Sequence, residues 1–213
     1  MNKLKILIAV LILTWPLSLS AQSVSGNESD GFLGTVTNGV YRNEFFCFKL
    51  PIPRELYVLS VAEKDKYKDT GVKIIVSGID GNQAALEKAA TAEVAIFALA
   101  EHKPGSEPSS SLNFGALKQG AGVTSHAVAN KSRAFLLQNP GFNLTKDTTA
   151  TKLGGVDFSL VELEGNFNGQ ILRFKYYVTI RKGYSLTAVI TYVDQKSLNN
   201  FEKILSTIAF DSK

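Results

Sequence analysis

Reactive chemistry in this chain would most readily start from Cys47, its one cysteine, or from His102 and His126, its two histidines. A working thiolate needs exposure and a neighbouring cation, histidine or helix N-terminus. Cys47 stands instead in "EFFCFKLPIP", between Phe46 and Phe48 in a strand-like pattern, which reads as a small apolar residue in packing. His102 lies in "AEHKPG", at the end of an apolar run, with Glu101 and Lys103 beside it. His126 opens a helical pattern. A Ser-His-Asp site would need a nucleophile on a sharp turn, and no G-x-S-x-G elbow occurs. Both histidines therefore read as surface residues.

Metal and phosphate motifs fail on spacing. Two separated histidines and one apolar-flanked cysteine give no transition-metal set. "DGNQAALE" opens like a calcium loop at Asp80 and Asn82, but Ala84 and Ala85 stand where a ligand and the glycine belong. "GAG" at Gly120–Gly122 precedes a helix without the lysine and hydroxyl of a P-loop, so it reads as a loop and cap. No catalytic, cofactor or metal residue is assigned, and no cofactor is expected.

The flanking elements set the compartment. Lys3 and Lys5, the apolar run Ile6–Leu13, Pro16 and the small residues Ser18, Ser20 and Ala21 form the pattern of a secretory signal peptide, residues 1–21. The run is shorter than the roughly 20 residues that span a bilayer, so cleavage is expected rather than stable membrane insertion. Loss of Lys3 and Lys5, with no acid, takes the formal charge from +4 to +2. The remaining basic residues are scattered among acids, which argues against nucleic acid as a partner. A single cysteine makes no internal disulfide, so the fold must rest on one core.

Residues 22–38 read as a flexible leader and 39–213 as one domain. Val40–Leu50 is apolar on both alternating faces, a strand covered on each side, ended by Pro51 and Pro53. Leu56–Ser60 reads as a short strand, Lys64–Lys73 as a loop or ragged helix, and Gln83–Thr91 as an alanine-rich helix. Val94–Ala100 is strand or helix by periodicity alone, and Ser111–Leu117 is its return strand. Thr124 or Ser125 caps a helix through Gln138, followed by a polar stretch, Lys146–Lys152. A strand from Val156 then reverses through "EGNFNGQ". Leu172, Phe174, Tyr176, Val178 and Ile180 share one strand face, and Lys182-Gly183 turns the chain into Tyr184–Tyr192. Leu198, Phe201, Leu205 and Ile208 line one stripe of a closing helix capped at Asp194 or Ser197. A helix on an antiparallel meander is an α+β solution.

"VYRNEFFCFKLPIP" resembles the entry motif Tyr-x-Asn-x-x-Phe-x-Phe-x-x-Pro of PsbP-like domains, with Tyr41, Asn43, Phe46, Phe48 and Pro51 or Pro53 at the matching positions. "RKGYSLTAVITYVDQKSLNNFEKILSTIAF" is similar to their ending, through Gly183, Tyr184, Phe201, Leu205, Ile208 and Phe210. "VAIFALAEHKPG" resembles an internal strand and loop of secreted bacterial members. The resemblance implies a single α/β/α sandwich around an antiparallel sheet. It also implies binding of another macromolecule without catalysis, as in the photosystem II extrinsic subunit and a nuclear Ran-binding factor.

Together these readings predict an exported, non-enzymatic binding module of the cell envelope that recognises a protein partner. The expected working surface is a sheet edge or the loop from Glu101 to Ser111, with Glu101, His102 and Lys103 as candidate contacts. A carrier of a small apolar or lipid ligand is the alternative, and a hydrolase using His102 ranks last.

Overall fold

The computed structural model describes residues 29–81, 87, 92–105, 109–167 and 169–211. The expected signal peptide, and the expected helix at Gln83–Thr91 apart from Glu87, lie outside the described residues.

The strong alternation in the second half of the chain forms the centre of the molecule. β8 (Val156–Phe167), β9 (Gln170–Arg181) and β10 (Tyr184–Tyr192) make an antiparallel meander. Lys182 and Gly183 turn β9 into β10, both at positive φ (50° and 77°), as a type I′ hairpin requires. β5 (Val94–Ala100) and β6 (Ser111–Lys118) extend the sheet beyond β10, so the apolar run at 94–100 is a strand. With β4 (Tyr57–Val58) and β7 (Phe142–Leu153) at its two ends, the sheet has seven strands in the order β4-β5-β6-β10-β9-β8-β7, all antiparallel.

Both faces of this sheet are covered, giving the α/β/α sandwich of an α+β fold. On one face lie α2 (Val61–Val76) and α3 (Ser125–Leu136), over a core that includes Val72, Ile75, Leu136, Phe174, Tyr176 and Val189. On the other lies α4 (Gln195–Ser206), whose Leu198, Phe201 and Leu205 pack on the alternate residues Leu186, Ala188 and Ile190 of β10. β10 feeds both cores, and all nine of its residues are buried. A second sheet of four short strands, in the order β1-β2-β3-β11, shares the α4-side core. It comprises β1 (Thr35–Thr37), β2 (Val40–Asn43), β3 (Phe48–Pro51) and β11 (Ala209–Phe210). Ring stacking joins the two sheets, with Tyr41 on Phe97 at 4.0 Å and Phe48 on Phe114 at 5.4 Å between centroids.

Two expectations are corrected and three readings are sharpened. Val40–Leu50 is not one strand but a hairpin, β2 and β3, turning at residues 44–47. The buried side chain of Asn43 makes that turn: its Oδ1 accepts from Phe46 N at 2.8 Å, and its Nδ2 donates to Phe32 O at 2.8 Å and Tyr41 Oη at 3.0 Å. The same bonds correct the leader, because the chain belongs to the fold from α1 (Ser29–Phe32) onward. Phe32 is buried among Phe45, Phe46 and Tyr184, and β1 pairs with β2. Lys64–Lys73 lies within the regular helix α2, started by a capping box in which Ser60 Oγ accepts from Glu63 N and Glu63 Oε2 accepts from Ser60 N. The polar stretch 146–152 is part of strand β7, and the chain reverses within "EGNFNGQ" as expected but more tightly, since β8 runs to Phe167, β9 restarts at Gln170 and these two residues pair.

Candidate functional site

Cys47 does not sit mid-strand. It closes the β2–β3 turn at φ 54°, buried, with Sγ directed at Glu44 O at 3.3 Å. Its place is packing and turn geometry.

The loop carrying Glu101, His102 and Lys103 leaves the end of β5. Its base is closed by Glu101 N donating to Ser110 O at 3.1 Å and His102 N donating to Ser109 Oγ at 3.0 Å. His102 and Lys103 are exposed and Glu101 is half-buried, its Oε2 accepting from Ser110 N at 3.4 Å. His126 is exposed in the first turn of α3. Among the described residues, no group of three His, Cys, Asp or Glu side chains could hold a metal ion.

A cleft that sequence reading did not anticipate lies under α2. The sheet face below that helix carries small residues: Ala95 and Ala98 of β5, and Ser111, Asn113 and Gly115 of β6. Small side chains leave a recess of ≈ 30 Å³, lined by Lys64, Tyr67, Lys68, Glu93, Ala98 and Asn113. A bulge at Ala95–Phe97 shifts the β5–β6 register. The Ile96 carbonyl at that bulge accepts from Lys64 Nζ at 2.9 Å. Lys64 is only 8 % exposed, and burial pulls its ammonium below the ordinary lysine range despite Asp65 nearby. One turn on, Lys68 Nζ donates to Glu93 O at 3.3 Å. Burial also pushes the Tyr67 hydroxyl up to about 12, helped by the negative charge of Glu63.

Glu93 is the most unusual group in the cleft. Its Oε1 accepts from Thr187 Oγ1 at 2.7 Å, while Oε2 has no hydrogen-bond partner among the described residues. Burial pushes its carboxyl well above the usual carboxylate range, against smaller opposing effects of Thr187 and Lys68. The sequence signal was slight: one acid ahead of a seven-residue apolar strand.

At the far end of the sheet, β7 is an edge strand with no strand paired beyond it among the described residues. Its first half is irregular, with register shifts between Leu144 and Lys146 and between Lys146 and Thr149. There α3 holds it, through Thr148 Oγ1 donating to Asn130 Oδ1 at 2.6 Å and an Arg133–Asp147 ion pair. Its second half, Thr149–Leu153, pairs with Leu160–Val156 in unbroken register. That segment presents Ala150 and Lys152 to solvent. The opposite edge, β4, is two residues long.

No protein-family model matches the chain, and no curated protein matches it in sequence. Among solved structures it is similar to cyanobacterial PsbP (CyanoP) from Synechocystis, with a TM-score of 0.50 at 12% identity over 85% of this chain and 100% of that one. Similarity extends to LpqN of Mycobacterium tuberculosis, a protein involved in cell envelope biogenesis (TM-score 0.46, 14% identity, 78% of this chain and 83% of that one). A Bacteroides thetaiotaomicron protein is matched at TM-score 0.42 and 12% identity over 78% of this chain, which spans 46% of that longer chain. At these identities the likeness is one of architecture. The chain has an α+β sandwich similar in fold to PsbP.

Proposed function

We propose that the protein is an exported, non-catalytic binding module of the cell envelope, and that it recognises a protein partner through the free edge of β7. The observation that carries this reading is the segment Thr149–Leu153, regularly paired with β8 on one side and, among the described residues, with no strand on the other, at the end of a seven-stranded sheet. A partner strand added there would satisfy backbone N–H and C=O groups that otherwise face water, with alternate side chains setting specificity. The register breaks and Lys146 in the first half of β7 blunt the rest of the edge, which limits indiscriminate pairing. Export rests on the amino-terminal pattern of Lys3, Lys5, the apolar run and Ala21. No helix among the described residues is long and apolar enough to cross a membrane. The loop at Glu101–Lys103 is the competing contact surface.

Proline substitution separates these possibilities, because alternate residues of an edge strand point their N–H inward and outward. Of Ala150→Pro and Thr151→Pro, one removes a ladder bond to β8 and destabilises the fold, whereas the other removes only an outward N–H. The folded variant should lose recovery of the partner that the wild type captures from the source cells. Unchanged recovery would place the contact elsewhere.

A further inference from the structure

The outer edge of β5 is closed in two ways. Where β4 runs beside it the closure is backbone: Tyr57 and Val58 pair with Ala100 and Leu99, and Leu59 N donates to Ala98 O at 3.1 Å. From Ala98 back to Glu93, no strand lies alongside among the described residues. There two ammonium groups of α2 take over, Lys64 Nζ donating to Ile96 O at 2.9 Å and Lys68 Nζ to Glu93 O at 3.3 Å. The two lysines stand one turn apart on one face of the helix, so both reach the same strand. Ammonium donors here occupy the place of a neighbouring strand.

The helix that carries them is held unevenly. Its second half sinks Val72, Ile75 and Val76 into the core with Leu136 and Phe174. In its first half Lys64 is the one buried residue, Val61 is 58 % exposed, and Tyr67 packs half-buried on the small cluster of Leu59, Ala98 and Ala100. Beneath that half lies the recess. Between the halves stand Thr70, whose Oγ1 turns back to donate to Lys66 O at 2.9 Å, and Gly71. A back-bonding hydroxyl and a glycine each weaken a helix interior. We infer that Val61–Thr70 is a latch on the outer edge of β5, held shut by Lys64 and Lys68, which opens as a unit about Gly71 while the rest of α2 stays in the core. Open, it bares the carbonyls of Glu93 and Ile96, and with them a second strand-pairing edge of the same sheet. The inference does not rest on the β7 reading, since it is built on α2 and β5 alone.

Residue-resolved amide hydrogen exchange on the exported protein is the test. A helix this short does not hold its shape in water once off the sheet, so opening registers as exchange. The amides of Asp65–Thr70 should share one protection factor, at least about tenfold below those of Ile75 and Val76. Lys64→Met keeps an apolar stem and removes the donor, and should lower the protection of Asp65–Thr70 by about tenfold or more. Ile75→Val trims the docked half instead. It should lower the protection of Val76 and leave Asp65–Thr70 unchanged, because opening the latch does not break that contact. Equal protection of the two sets in the wild type would overturn the inference. So would an Ile75→Val effect on both sets, which would mean that α2 opens only as one piece, or a Lys64→Met variant with Asp65–Thr70 unchanged. The wild type and Ile75→Val decide the matter even where Lys64→Met fails to fold.

Discussion

Replacing Glu93 by Gln should remove a pH dependence of stability that the wild type carries. Burial under α2 pushes the Glu93 carboxyl well above the ordinary 4.5, so it stays protonated in the folded protein while the unfolded chain ionises. The unfolded state then binds fewer protons, and stability falls as pH rises from about 4.5 toward the folded value. The favourable contribution is complete only below the unfolded pKa. Each pH unit inside that window costs about 1.4 kcal/mol, so the ceiling between about pH 5 and pH 7 is roughly 3 kcal/mol. Gln keeps the acceptor for Thr187 and has no proton to lose. Lys64, Tyr67 and Lys68 of α2, which line the same recess, and Tyr176 of β9, which feels the Glu93 charge, are common to both proteins. Urea unfolding at the two pH values is the assay, and the gap between the midpoints of variant and wild type should widen by roughly 1 M at the higher pH. A gap that is the same at both pH values would show that Glu93 is ionised and paired in the native state, and the reasoning about the cleft would fail with it.

Other outcomes follow from the turns and the core. Asn43→Ala removes three buried hydrogen bonds that join α1, β2 and the turn, and should lower the unfolding free energy by about 2–4 kcal/mol; a loss well under about 1 kcal/mol would mean that the turn does not depend on it. Gly183→Val puts a β-branched residue at φ 77° in the β9–β10 hairpin and should cost about 1–3 kcal/mol by the same measurement, whereas a neutral result would refute the type I′ geometry. Cys47 is buried, so its reaction with a thiol reagent should be slow in the native protein and speed up by at least about a hundredfold in denaturant; rapid native reaction would contradict its packing role.

The parts of the fold that show in the sequence are those with one wet and one dry face, or with a cap. α4 was legible because Leu198, Phe201 and Leu205 recur at helical spacing behind Asp194, which accepts from Ser197 N at 2.8 Å. The β8–β10 meander was legible from alternation and from Lys182-Gly183. Strand β7 was hidden because an edge strand exposed along most of its length has no apolar period to read. The β2–β3 turn was hidden because its residues, Glu44 to Cys47, are mostly apolar and a side chain of β2 makes the turn. α2 buries Lys64 and Gly71 along with Val72, Ile75 and Val76, which blurs its stripe, although Ser60 and Glu63 at capping-box spacing could have revealed its start. The cleft could not be read locally, since it exists only where small residues of β5 and β6 meet under α2.

The central claim is that the second half of β7 carries the partner contact. Placing a photo-activated cross-linking residue at Ala150 or, separately, at His102, and irradiating intact cells of the source organism, tests it most directly. The account predicts one reproducible protein adduct from position 150 and none of that mass from position 102. An adduct confined to position 102, or a second copy of this chain as the sole adduct at 150, would contradict it.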